Sequence, residues 1–206
     1  PGRYPVANEQ ESAGVCLDFL RQTMFFDSST DGREDGYRRF DDLAAGAPPG
    51  ANGVMFMPWL YGERTPVEDS SLRAAFFNLS IKARPADIVR AVFEGVAYNT
   101  RWLLGAVERF TGVRLDPITL VGGGGRSAVW AQIFADVLDR TIVRTADPVA
   151  VNLRGAALLG ALALGTIDED GIGAAVPIVE THRPDRSTRR VHDAHFAEFV
   201  SFHKSN

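Results

Sequence analysis

Cysteine is almost missing from this chain: Cys16 is the only one in 206 residues. No intrachain disulfide and no cysteine cage for a metal can form from one thiol. Such a composition belongs to a reducing compartment, and the cytoplasm is the expectation. Cys16 itself reads as a small buried apolar residue. Lysine is nearly as scarce, with Lys82 and Lys204 alone among the basic residues that are not arginine. Long apolar runs are absent too. The longest, Gly155–Gly165 (GAALLGALALG), falls well short of the ~20 residues that span a bilayer. No basic-then-apolar leader opens the chain, and no membrane partner is expected. Basic charge is not in excess either: 22 basic residues face 26 acidic ones, a net charge of −4. A broad basic surface for nucleic acid is thereby excluded.

What is present is an ordinary globular composition. Hydrophobic residues make up 45% and charged residues 23%, which excludes a disordered or collagen-like chain. The length suits one large domain, and residues 1–206 are read as one. Apolar spacing predicts a helix over 9–25, with Val15, Leu17, Leu20 and Met24 on one face and Cys16 and Phe19 at its flanks. A polar turn is expected over 27–36, then a short helix near Tyr37–Ala45. Val54–Trp59 reads as a buried strand. Asp69 or Ser70 is placed to cap a short helix running to about Phe77. Pro85 opens a long amphipathic helix and Gly112 closes it. Val149–Leu164 reads as a small-residue helix able to pack closely on its neighbours. Residues 181–190 read as a charged linker before a last helix over 189–203. Alternating strands and helices make the class α/β. The strands are too few and short for a complete doubly wound sheet, so a further layer or domain is expected.

The strongest chemical signal is Ile118–Val121 (ITLV), a strand that runs into Gly122, Gly123, Gly124 and Gly125, then Arg126-Ser127, then a helix to Leu138. Glycines at a strand-to-helix junction let backbone approach a ligand, and the helix start offers free N–H groups and a positive dipole end. Nucleotide or cofactor binding and a merely tight structural turn both fit this pattern. A Walker loop is excluded, because no lysine follows the glycines. A Rossmann fingerprint fits weakly, since Ser127 stands where its third glycine belongs. A methyltransferase-type loop remains open. Ser127 lacks the G-x-S-x-G setting of a nucleophile and reads as a helix cap or ligand contact. In GERTPVEDSSLR (62–73), Glu63, Glu68 and Asp69 offer an acid–base pair, but a capped turn of solvated charges is the preferred reading. His192 and His195 lie three apart on a helix without further ligands, and they read as a polar face.

Taken together, PWLYGERTPVEDSSLR, RAVFEGVAYNTRW, LVGGGGRSAVWAQIFADVL and ADPVAVNLRGAALLGA, in this order and spacing, resemble the C-terminal domain of the FGGY carbohydrate kinases over roughly residues 8–165. GERTP leans toward the branch that phosphorylates xylulose. The resemblance implies a ribonuclease-H-like, actin-like ATPase fold, the C-terminal half of a two-domain sugar kinase that clamps ATP and sugar. It implies that Gly123, Gly124 and Ser127 lie against adenine and ribose, within a nucleotide site of Gly122, Gly123, Gly124, Gly125 and Ser127, and that the GAALLGA helix packs beneath it. It places the sugar site, the catalytic aspartate and the phosphate loops, with most of the hold on Mg²⁺, in an N-terminal domain ahead of Pro1. This chain then carries no catalytic residue and is expected to be inactive alone, with an apolar inter-domain face that favours self-association into homo-oligomers. Ala74 and Asn78 replace family glycines, and Ala83 and Asp87 replace histidines, which leaves the sugar open. The competing readings are a non-catalytic module that kept the fold and a kinase acting on another sugar or polyol.

Overall fold

The structure is a computed structural model and describes residues 5–25 and 33–205. Helix α1 (Val15–Thr23) buries Cys16, Leu17 and Leu20. It is shorter than the 9–25 expected, because the residues before it are pinned elsewhere. The Glu11 N–H donates to Glu63 Oε1 (2.9 Å), and Gln10 Oε1 accepts from Asn99 and Thr100 (3.2 and 3.1 Å). Cys16 sits on the buried side rather than a flank, while Phe19 and Met24 are exposed. Burial pushes the Cys16 thiol up to about 12, so it stays protonated and unreactive. The turn expected over 27–36 lies outside the described residues up to 32. Residues 33–36 belong instead to helix α2 (Arg33–Ala45), which Tyr37 ties to α1 through a hydroxyl donated to Asp18 Oδ1 (2.9 Å).

Strands β1 (Met55–Met57) and β2 (Ala75–Phe77) pair antiparallel, with Phe56 opposite Phe76. The helix expected up to Phe77 therefore does not form. Asp69 closes a local turn by accepting the N–H and hydroxyl of Ser71 (2.8 and 2.6 Å). The apolar residues that follow pair with β1 instead, where the Phe56 and Phe76 rings meet at 4.7 Å between centroids.

Helix α3 (Pro85–Thr111) is the axis of the fold. At 1.5 Å per residue its length is about 40 Å. Pro85 occupies its first turn, Asp87 accepts the Arg84 N–H at 2.9 Å, and Gly112 ends it in the left-handed conformation. Every residue from Val89 to Asn99 is buried. A side chain at Gly95 would place its Cβ 2.1 Å from the Phe56 carbonyl oxygen, so α3 crosses β1 at backbone contact.

Strand β3 (Ile118–Leu120) leads through the glycine corner into helix α4 (Ala128–Leu138), which returns to strand β4 (Ile142–Thr145). Helices α5 (Val151–Ala163) and α6 (Glu169–Ala174) follow, then strand β5 (Ile178–His182) and helix α7 (Arg189–Ser205). The sheet order is β3-β4-β5, with β3 parallel and β5 antiparallel to β4. The first two residues of the expected linker, Thr181 and His182, are thus in a strand that covers the free edge of β4. Helix α5 departs from expectation as well. None of its residues is buried, Leu153 and Leu159 are exposed, and a Cβ on Gly155 or Gly160 would meet nothing within 4 Å. Its smallness is not used for close packing among the described residues. The core lies instead between α3, α4, β1 and α7, around Phe56, Trp59, Phe93, Tyr98, Ile133 and Phe199.

Candidate functional site

The end of β3 opens into the glycine corner, where the four glycines have different tasks. Gly122 has φ 76° and ψ −163°, a backbone state open essentially to glycine alone. Its N–H donates to the Pro148 carbonyl at 2.7 Å. Gly125 is jammed: a Cβ there would lie 2.8 Å from Pro148 Cβ and 2.9 Å from the Leu120 oxygen. Gly124 faces the Trp130 ring, at 3.3 Å from a built Cβ. Gly122 and Gly123 face open space, with no atom within 4 Å of where a Cβ would be. The run is therefore held tightly on one side and open on the other.

Ser127 ends the corner as the N-cap of α4, with its Oγ accepting from the Trp130 N–H at 2.9 Å. The same hydroxyl donates to Asp41 Oδ1 on α2 at 2.6 Å. Burial raises the Asp41 carboxyl above its usual range, and the Ser127 bond opposes that rise. From the other side Arg144 on β4 donates to the carbonyls of Gly125 (2.8 Å) and Arg126 (2.7 Å) and pairs with Glu180. Trp130 belongs to the core: its indole N–H donates to the Phe93 carbonyl at 3.1 Å. Gln132 braces β5, donating to the Arg183 carbonyl at 2.9 Å. Asp41 and Arg144 were not foreseen from the sequence. Asp41 stands 86 residues before Ser127, and no local pattern marks that pairing. The small-residue helix α5, implied to pack beneath the corner, is joined to its vicinity by Arg154, which donates to the Ala146 carbonyl at 2.6 Å.

The acidic loop is built differently from a capped turn of solvated charges. Glu63 is 3% exposed. Its Oε1 accepts from the N–H groups of Glu11 (2.9 Å) and Arg64 (2.8 Å), and its Oε2 accepts from the Asn99 amide at 2.5 Å. Asn99 in turn accepts the Trp59 indole N–H at 3.1 Å. Asp69 is joined to Glu63 by two backbone hydrogen bonds, yet its carboxylate goes to Ser71. The pair does not converge on a common point, and Glu68 is exposed. The histidines also depart from the polar face expected. His192 is fully buried, its Nδ1 2.8 Å from the Tyr98 hydroxyl, and burial lowers it to about 4. A helix face that reads as polar is here packed on α3, because Tyr98 supplies a buried partner. Among the described residues no group of three or more His, Cys, Asp or Glu is placed to hold a metal ion. Nor is any helix of the described residues long and apolar enough to cross a membrane.

The profile of the C-terminal domain of the FGGY family of carbohydrate kinases matches residues 1–164. The chain belongs to that family. A xylulose kinase of Staphylococcus epidermidis is 31% identical over 206 residues, covering 99% of this chain and 40% of its own length. The crystal structure of xylulose kinase from Rhodospirillum rubrum superposes with a TM-score of 0.80 at 29% identity, covering 95% of this chain and 38% of that one. The gluconate kinase structure from Lactobacillus acidophilus gives 0.77 at 25% identity, with the same two coverages of 95% and 38%. This FGGY chain therefore spans about 40% of the length of the relatives it matches. Its fold is the α/β, actin-like ATPase fold of those kinases, as the motifs implied.

Proposed function

We propose that this FGGY domain is the ATP-holding part of an ATP-dependent sugar kinase, with the nucleoside lying over Gly122, Gly123, Gly124, Gly125 and Ser127. The observation that carries this is the one-sided glycine corner: Gly125 is jammed against Pro148 while Gly122 and Gly123 face empty space. Backbone angles call for glycine at Gly122, but nothing in the packing of the turn calls for one at Gly123, where a Cβ would meet no atom within 4 Å. Residues 1–206 act as one C-terminal nucleotide-binding domain. A partner domain supplies the sugar site and the base that takes the hydroxyl proton during phosphoryl transfer. Mg²⁺ is assigned mainly to that partner domain, where it neutralises phosphate charge. The acceptor is a ketose such as xylulose, a reading supported by the xylulose kinase relatives. The likeness to a gluconate kinase favours a second reading, in which the same domain serves a kinase for another sugar or polyol. Both readings place the protein in the cytoplasm, where ATP is available.

The test is calorimetric or NMR titration of the 206-residue chain with ADP. Gly123→Val adds bulk on the open side, where a Cβ would meet no atom within 4 Å. It is expected to weaken ADP at least tenfold, a loss of about 1.4 kcal/mol, and to leave the melting temperature within a few degrees. ADP contacts confined to other residues, or an unchanged affinity in Gly123→Val, would overturn the assignment.

A further inference from the structure

We propose that Asp41 on α2 is a nucleotide-recognising residue, whose carboxylate accepts a hydrogen bond from a ribose hydroxyl of a nucleotide seated on the glycine corner. This rests on the nucleotide reading above and adds to it the residue that tells the sugar end from the phosphate end.

A serine hydroxyl has one hydrogen to give. Ser127 gives it to Asp41 Oδ1 at 2.6 Å, while its oxygen receives the Trp130 N–H at 2.9 Å. The residue that sequence alone offers as a ligand contact thus has no proton left for a ligand. The group it points to is an acceptor. An ionised carboxylate has roughly four lone-pair sites and no donor, and the Ser127 bond occupies one of them.

The nearby cation does not cancel this bias. The Arg144 guanidinium is engaged with the carbonyls of Gly125 and Arg126 and with Glu180. Asp41 is only partly buried, and its carboxylate is held by Ser127, the residue that ends the glycine corner. A phosphate brought there would meet like charge. A ribose hydroxyl would meet an acceptor already oriented by Ser127, and a hydrogen bond to a charged group is among the stronger ones available.

The experiment compares ADP with 2′,3′-dideoxy-ADP on the 206-residue chain by calorimetry, in the wild type, Asp41→Ala, Asp41→Asn and Ser127→Ala. Thermal unfolding is run on each to confirm the fold. The wild type is expected to prefer ADP by about tenfold or more. Asp41→Ala should lose that preference by weakening ADP alone. Asp41→Asn keeps an uncharged acceptor and should retain part of it. Ser127→Ala keeps the carboxylate but removes the hydroxyl that orients it, so the preference should shrink without vanishing. A preference unchanged in Asp41→Ala, or ADP and its dideoxy analogue weakened equally, overturns the role of Asp41. If Gly123→Val weakens ADP at least tenfold in that case, the nucleotide site itself stands. If the wild type binds neither nucleotide, both readings fall together.

Discussion

Replacing Glu63 should unfold the chain more readily than any other single charge removal in the GERTP loop. Its carboxylate accepts from the Glu11 and Arg64 N–H groups and from the Asn99 amide, at 2.9, 2.8 and 2.5 Å. Glu63→Ala strands these three donors and also loses the longer bond from the Thr65 N–H at 3.4 Å. An unsatisfied buried polar group costs about 1–3 kcal/mol. Water can reach the partly buried Glu11 and Arg64 amides, so about 1 kcal/mol each applies there, and about 2 for the fully buried Asn99. The sum is about 4 kcal/mol, or a fall of roughly 8–16 °C in melting temperature for a domain this size. Glu63→Gln is the sharper probe because it keeps the shape. Either orientation of the new amide sets its NH₂ against a donor: the two backbone N–H groups on one side, or Asn99 on the other. Asn99 cannot relieve this by flipping, because its oxygen already holds the Trp59 indole N–H at 3.1 Å. Glu63→Gln should therefore cost about 2 kcal/mol. Urea unfolding followed by circular dichroism measures both variants. ADP affinity serves as a control and should not change, since Glu63 shares no hydrogen bond with the glycine corner. A Glu63→Gln protein within about 0.5 kcal/mol of wild type, the range of ordinary surface substitutions, would refute the reasoning.

Three further outcomes are expected. His192 is held neutral in the fold, lowered from 6.5 to about 4. Its contribution is complete above pH 6.5 and is lost as pH falls toward 4, on the order of 3 kcal/mol. Melting temperatures from pH 7.5 to 4 should fall less steeply in His192→Gln than in wild type, and parallel slopes would contradict this. Gly95→Ala sets a methyl carbon 2.1 Å from the Phe56 carbonyl oxygen. It should cost about 3 kcal/mol or more and show as lost soluble yield and a collapsed urea midpoint. The 206-residue chain alone should release no ADP from ATP in the presence of xylulose or related ketoses. Sugar-dependent turnover abolished by Asp69→Asn would move the catalytic centre into the GERTPVED loop.

Several features of this protein were written locally in its sequence. Pro85 and Gly112 bracket α3 because a fixed φ suits the first turn and a left-handed residue ends the last one. The strand, glycines and helix over 118–138 followed from a change of apolar period across residues with no side chain. These are properties of neighbouring residues, and neighbours settle them. Partners distant in the chain decided the rest. Ala75–Phe77 became a strand because Phe56 lay across from Phe76. Glu63 and His192, which read as solvated, were buried because Asn99 and Tyr98 on α3 met them with hydrogen bonds. Helix α5, which read as closely packed, is exposed because no described element covers it. At the glycine corner the sequence pointed to Ser127, but only the fold brought Asp41 to its hydroxyl from 86 residues away. Periodicity tells which face of an element is apolar. Whether a polar group is buried depends on a donor or acceptor arriving from elsewhere, and that is decided when the elements pack.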